Sequence, residues 1–321
     1  MCLYPKLIKN PKYKPNKKNG GNVPVCDDDR KLYVPVGCGV CIECCKKKAR
    51  EWQVRLNEEL KENKNAHFIT LTFSEEELSK LCTEMQIEES NAVATKAVRR
   101  WLERYRKKNK KSFKHWLITE LGHVGTERIH LHGIVWGDIE EIKKYWNYGN
   151  VGVGQYCNER TISYIIKYVT KIDNDHKGYK PIILSSAGIG RCYIEKAYSL
   201  KNSYKKNNTN ENYRLPNGQK IALPIYYRNY IYSEVERENL WIEKLDKMER
   251  WVLGQKIDIS QGLELFEEIQ INAQKLNEKL GYGNNSKEWQ KKAYNVTNRK
   301  LNKLNKTKKY LESKKEKFNK L

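Results

Sequence analysis

Two histidines stand two residues apart in Arg128-Ile129-His130-Leu131-His132. On a β-strand, positions i and i+2 point to the same face, so both imidazoles can grip one ion while Ile129 and Leu131 point the other way. Upstream, Glu120 lies in His115-Trp-Leu-Ile-Thr-Glu-Leu121, an alternating run that reads as the partner strand. A hairpin between the two runs would set the Glu120 carboxylate beside His130 and His132. Two neutral imidazoles and a carboxylate leave positions for water and phosphate, a donor set suited to Mg²⁺ or Mn²⁺ at a phosphodiester. Alone, H-x-H more often describes two half-buried strand histidines.

A second set of polar groups follows. In Tyr164-Ile-Ile-Lys-Tyr168-Val-Thr-Lys171, the residues Tyr164, Lys167, Tyr168 and Lys171 fall at i, i+3, i+4 and i+7. Ile162, Ile165, Ile166 and Val169 form the opposite stripe, which predicts a helix packed on a sheet. The two phenols then sit one turn apart, roughly 5–6 Å between Cβ atoms, flanked by two cations suited to phosphate. The chemistry that needs such a set is phosphodiester transfer to tyrosine. A phenol of pKa about 10 is a modest nucleophile near neutrality, and a divalent ion at the phosphate offsets that weakness. Lys167 or Lys171 would stabilise charge or lower the phenol pKa. The product is a 5′-phosphotyrosine and a free 3′-hydroxyl that a polymerase extends.

The elements that must position these groups follow in order. A helix is expected from Ala49, with Trp52, Leu56 and Leu60 at helical spacing. The run His67 to Phe73 reads as a strand, and Ser74-Glu-Glu-Glu77 as an N-cap with acids in the first turn. A helix over Val93 to Lys108 turns Val98, Trp101, Leu102 and Tyr105 inward. The strands at His115–Leu121 and Arg128–Trp136 are joined by Gly122 to Thr126, and another helix covers Thr161 to Ile172. Residues 1–50 read as irregular. Ser186 to Tyr232 is mixed, with loops at Asn207–Asn210 and Pro216–Gly218, and the pattern turns helical after Ser233. The whole suits an α+β fold, a central antiparallel sheet backed by helices, with a basic helical C-terminal region. The expected division is a Cys-rich segment at 1–50, a catalytic domain at 51–235, and the C-terminal region at 236–321. From Lys287 to Leu321 there are 13 Lys or Arg against 3 Glu, either a nucleic-acid-binding tail or a solvated helix.

Composition points to the same partner. The chain has 321 residues, a net charge of +23 and a mean hydropathy of −0.85. A charge of that size favours a polyanion, because each neutralised phosphate releases counterions. The 21 Tyr and 8 Trp among the basic residues favour a single strand, whose bases stack on aromatic rings. No apolar run approaches the roughly 20 residues of a membrane span. Met1 to Lys18 is broken by Pro5, Pro11 and Pro15 and lacks a signal peptide's apolar stretch, so the protein reads as cytoplasmic. Nine cysteines in a reducing compartment suggest metal binding or free thiols. Cys38-x₂-Cys41-x₂-Cys44 has the compact spacing of a Zn²⁺ site, with Cys2, Cys26 or Cys45 as fourth ligand. The run also partly matches an iron–sulfur spacing without its later members, and reduced thiols in a Gly-rich loop remain the alternative.

The block Glu120…His130-Leu-His132, followed by Tyr164-x-x-x-Tyr168, resembles the HUH endonucleases with paired tyrosines. The surrounding sequence resembles the replication initiators of the microviruses, nearest to the gokushovirus group. Supporting segments are Gly37-Cys-Gly-Val-Cys-Ile-Glu-Cys44, Phe68-Ile-Thr-Leu-Thr72, Gly152-Val153-Gly154, Ala187-Gly-Ile-Gly190 and Pro224-Ile-Tyr-Tyr-Arg228. The likeness runs from Cys2 to Trp241 and departs at Ile129, where related sequences often have Pro. It implies an HUH fold, with His130, His132 and Glu120 holding Mg²⁺ or Mn²⁺. It also implies Tyr164 and Tyr168 as nucleophiles in rolling-circle initiation, the second taking over when the displaced strand is re-closed. A non-catalytic single-strand-binding or packaging protein fits the charge and aromatic content equally well, and a single-tyrosine transposase or relaxase is the rival among enzymes. No G-x-x-x-x-G-K-[ST] loop is present, so unwinding is expected from a host helicase, with a host polymerase extending the 3′ end.

Overall fold

A computed structural model of the chain describes residues 1–123, 127–176, 179–215 and 217–285. Elements in chain order begin with strands β1 (Lys6–Lys9) and β2 (Tyr33–Val36), which pair antiparallel, and helix α1 (Ile42–Glu62). Next come β3 (Ala66–Leu71), α2 (Glu75–Met85), α3 (Ser90–Asn109), β4 (Lys114–Leu121), β5 (Ile129–Trp136) and α4 (Ile139–Lys143). They are followed by β6 (Val151–Val153), α5 (Glu159–Thr170) and β7 (Ile183–Ser185). The remainder is α6 (Cys192–Glu195), β8 (Asn212–Arg214), β9 (Lys220–Ala222), α7 (Ile225–Ile231), α8 (Glu234–Asp246), β10 (Glu249–Val252), β11 (Gln255–Asp258) and α9 (Glu264–Lys279). The chain divides into two compact units, one holding residues 63–189 and the other Met1–Glu62 with the described residues from Gly190 on.

The first unit is α+β. Its five strands lie in the order β6-β3-β5-β4-β7, every neighbouring pair antiparallel. Strand alternation sends two kinds of residue to opposite faces. Ile69, Leu71, Leu117, Leu131 and Val135 share a core with Val98, Trp101 and Tyr105 of α3 and Leu81 and Met85 of α2. The Trp101 indole donates to the carbonyl of Ile142 at 2.9 Å, so this buried ring leaves no polar atom stranded. The alternate positions, including Phe68, Thr70, Glu120, His130 and His132, turn to the other face. There α5 packs against β4 with Ile162, Ile165, Ile166 and Val169 buried beneath it. Ser74 caps α2 as the sequence predicts, accepting from the Glu77 N–H, while α5 begins at Glu159, two residues before the expected Thr161, where Asn158 caps it in a reciprocal box with Thr161.

His115 belongs to the structural part of this sheet. Its Nδ1 lies 2.9 Å from the Ser186 hydroxyl, and burial pushes the imidazole down to about 4. The unfolded chain takes up a proton near pH 6.5 and the folded chain only near 4, so between these values unfolding binds protons. Stability is therefore full above pH 6.5 and falls as pH drops toward 4, by roughly 3 kcal/mol from this group. Denaturant titrations at pH 7.5 and 4.5 should show the loss in the parent and a smaller one in His115→Gln.

The second unit has two cores of its own. Val54 of α1 packs with Tyr193, Tyr213, Tyr227, Tyr232 and Leu240, while Leu3, Cys41 and Ile42 pack with Val252, Ile257, Ile259 and Ala273. Buried Asn277 of α9 accepts from the Ile42 N–H at 2.8 Å and so caps α1 from a distance of 235 residues.

Two expectations need correction. The N-terminal 50 residues are not wholly irregular: β1 and β2 pair, and α1 begins at Ile42, seven residues before Ala49. The stretch after Ser233 is not continuously helical, because β10 and β11 form a hairpin. Leu253 (φ 48°) and Gly254 (φ 89°) take the left-handed conformations of a tight two-residue turn, which Leu disguises in the sequence. The loop at Pro216–Gly218 begins on a residue outside the described ones, as do part of the Gly122–Thr126 link and the basic stretch from Lys287 to Leu321.

Candidate active site and metal centres

Register puts the three candidate ligands together. In the β4–β5 ladder Glu120 stands opposite His130 and Ile118 opposite His132. Glu120 Oε2 accepts from His130 Nε2 at 3.1 Å and from His132 Nε2 at 3.0 Å. Burial pushes the Glu120 carboxyl up, but the hydrogen bonds from His130, His132 and Lys171 outweigh it and hold the group well below the usual carboxylate range. Lys171, just past the end of α5, closes the other side of the carboxylate through its ammonium.

The remaining contacts orient the ligands. Thr70 Oγ1 lies 3.1 Å from His132 Nδ1, which fixes the ring and leaves Nε2 for the shared point. The described donors Glu120, His130 and His132 each offer one ligand atom, all within 4.8 Å of one another. That convergence of two imidazoles and a carboxylate on a half-buried point is the donor set of a divalent-metal site.

Tyr168 of α5 reaches this point directly, and Tyr164 through the hydroxyl of Tyr168. The Tyr168 ring stacks on the His132 ring at 4.7 Å between centroids, with 15° between planes. Tyr164 meets the edge of Phe68 at 6.1 Å and is 47% exposed. The two hydroxyls are 2.7 Å apart and share a hydrogen bond. Burial, that bond and the charge of Glu120 push the Tyr168 phenol well above its usual range. Lys167 and Lys171 do not act alike. Lys171 Nζ lies 5.8 Å from the Tyr168 ring centre, whereas Lys167 lines a surface cavity of about 320 Å³ with Glu159, Arg160, Ser163 and Tyr164. A second cavity, about 460 Å³, opens beside His130 between Thr72, Ser74, Arg128 and Asn150. Sequence reasoning missed Phe68 and Thr70, although their alternation along β3 marks them as neighbours on the site's face.

The cysteines of the other unit form a second cluster. Cys2 joins Cys38, Cys41 and Cys44, with one sulfur from each inside 4.8 Å. Cys2 Sγ is 3.9 Å from Cys41 Sγ, and Cys38 Sγ is 4.0 Å from Cys44 Sγ. A tetrahedral ion with Zn–S bonds of about 2.3 Å would separate its sulfurs by about 3.8 Å, so the spacing fits. Backbone N–H groups of Tyr4 (3.4 Å) and Cys38 (3.2 Å) donate to Cys2 Sγ, and Cys41 N–H donates to Cys38 Sγ at 3.3 Å. Two glycines make the turn: Gly39 sits at φ 78°, and a Cβ on Gly37 would come within 3.1 Å of Cys44 Sγ. Of the other candidates for fourth ligand, the Cys26 thiol donates to the Asp28 carbonyl and the Cys45 thiol to that of Val40.

Residues 66–173 match the family model of the ORF2-type replication-associated proteins. The matched stretch holds Glu120, His130, His132, Tyr164, Tyr168 and Lys171 and supports a replication-initiator family. No curated protein matches the chain, and no solved structure does. Among the described residues no helix is long and apolar enough to cross a membrane.

Proposed function

We propose that this protein is a metal-dependent, two-tyrosine DNA-nicking enzyme of the HUH type that initiates rolling-circle replication. The observation that carries the reading is the pair of hydrogen-bonded phenols of Tyr164 and Tyr168, the second stacked on the His132 ring of a Glu120–His130–His132 donor set. Mg²⁺ or Mn²⁺ held by those three residues would supply Lewis-acid polarisation of the scissile phosphate. Thr70, against Nδ1 of His132, orients that ring with Nε2 toward the shared point, and an ion there would replace the protons that His130 and His132 share with Glu120. One tyrosine forms a bond from Oη to phosphorus as the bond from phosphorus to the 3′ oxygen breaks. The phenol's proton passes to solvent water and the 3′ oxygen gains one from water, leaving a 5′-phosphotyrosine and a free 3′-hydroxyl. The second tyrosine, already hydrogen-bonded to the first, is placed to attack in a later transfer that re-closes the displaced strand. Lys171 keeps Glu120 ionised, and Lys167 and Arg160 offer positive charge to the incoming strand.

This reading is tested with a pool of randomised single-stranded oligonucleotides and Mn²⁺. The expected product is a cut strand whose 3′ end a polymerase extends and whose 5′ end resists phosphatase, with EDTA stopping the reaction. A protein that only binds single strands would shift the pool in a gel and leave it intact.

For the other unit we propose a structural Zn²⁺ on Cys2, Cys38, Cys41 and Cys44. A small loop segment gains folding energy directly from such an ion, and here it ties the N-terminus to the start of α1. Cys41→Ser should lose one equivalent of zinc by elemental analysis and melt earlier. A parent chain purified without zinc or iron and melting identically in chelator would contradict the assignment.

A further inference from the structure

A second cluster of imidazoles and carboxylates lies at the far ends of the elements that carry the candidate site. His123 follows β4, three residues after Glu120, while Asp173, Asp175 and His176 follow α5 directly after Lys171. His123 Nδ1 is 2.8 Å from Asp175 Oδ2 and 3.8 Å from Asp173 Oδ1, and His176 Nδ1 is 2.8 Å from Asp173 Oδ2. The ring centroids are 5.5 Å apart. Asp173 is the fixed point: its side chain is 7% exposed, and its Oδ1 accepts from the backbone N–H groups of Asp175 at 3.2 Å and His176 at 3.0 Å. On the far side of its ring, His176 Nε2 lies 3.7 Å from Glu127 Oε1. One donor atom from each of His123, Asp173 and His176 falls within 4.8 Å of the others.

We propose that His123, Asp173 and His176, with Asp175 as fourth donor, form a second divalent-metal site that prefers a borderline ion such as Zn²⁺ to Mg²⁺. His176 bonds the nearly buried Asp173 carboxylate and His123 bonds Asp175 while lying 3.8 Å from Asp173, and a dication satisfies that arrangement without a proton on either ring. The N₂O₂ donor set is the one Zn²⁺ takes, whereas Mg²⁺ favours oxygen ligands and keeps its waters. A bound ion would cross-link the segment after β4 to the segment after α5. Glu120 and Lys171, which touch each other, lie just inside that clamp, so the ion acts as a positioning element for the pair. The site stands on its own donors and does not depend on the tyrosines cutting DNA.

The test is Zn²⁺ binding to the full chain, read by native mass spectrometry and calorimetry. His123→Gln/His176→Gln is expected to bind one equivalent fewer than the parent, while His130→Ala/His132→Ala keeps that equivalent. Asp173→Asn, which preserves side-chain shape, should weaken it by at least the roughly tenfold cost of losing even an outer partner. Unchanged stoichiometry and affinity in both cluster variants would overturn the site. A second readout leaves the cluster intact: in His130→Ala/His132→Ala, Zn²⁺ should slow hydrogen exchange across residues 171–176. Exchange unaltered by Zn²⁺ there would overturn it regardless of how the cluster variants fold.

Discussion

Replacing Tyr164 and Tyr168 together with Phe is expected to abolish strand cleavage, a loss on the order of 10⁴-fold or more, while DNA binding persists. The substitution removes two hydroxyls and nothing else. The ring at 168 keeps its stack on His132, and the ring at 164 keeps its edge contact with Phe68. The buried stripe of Ile162, Ile165, Ile166 and Val169 is untouched, so α5 stays on the sheet. What disappears is the 2.7 Å hydroxyl pair, the only phenols the helix presents toward the His130–His132 strand among the described residues. Each single variant should make the first cut and fail to re-close the strand, because one phenol suffices for one transfer and a full cycle uses two. Full turnover in either single variant, measured by release of closed circles, would contradict that division.

The second large effect is expected from His130→Ala/His132→Ala, which should lower metal-dependent cleavage about 10³-fold. Both imidazoles donate to the same oxygen of Glu120, and the double variant leaves that carboxylate with Lys171 alone. The β4–β5 ladder runs through backbone groups, and the buried partners Ile129 and Leu131 point to the opposite face, so the sheet should survive. Binding of single-stranded DNA in a filter assay should therefore stay close to that of the parent. If binding falls as far as cleavage, the histidines serve folding, and the metal role assigned to them fails.

Much of this was legible in the residues because the site is built from short-range periodicities. Alternation along β5 puts His130 and His132 on one face, and a four-residue interval puts Tyr164 and Tyr168 on one side of a helix. The amphipathic stripes of α3 and α5 and the cap at Ser74 likewise depend on neighbours in sequence. What depends on distant contacts was not legible. Lys171 reads as a partner for phosphate or phenol, yet it closes on Glu120, 51 residues away. Cys2 was one of three options for a fourth thiol, and only the fold brings it beside Cys38 and Cys41. No spacing marks the His123–Asp173–His176 cluster, because His123 and His176 are 53 positions apart and meet only where β4 and α5 end. The same reason hides the two-part unit that joins Met1–Glu62 to the chain beyond Gly190: its aromatic core draws on Val54 and on Tyr193, Tyr213 and Tyr227.

The most direct test is to digest the denatured covalent product with trypsin and locate the attached nucleotides by mass spectrometry. Cleavage after Arg160, Lys167 and Lys171 separates Tyr164, in the peptide 161–167, from Tyr168, in the peptide 168–171. The account predicts nucleotide mass on a tyrosine of one or both peptides, appearing only when Mg²⁺ or Mn²⁺ is supplied. Cut DNA with no nucleotide on either peptide would contradict it.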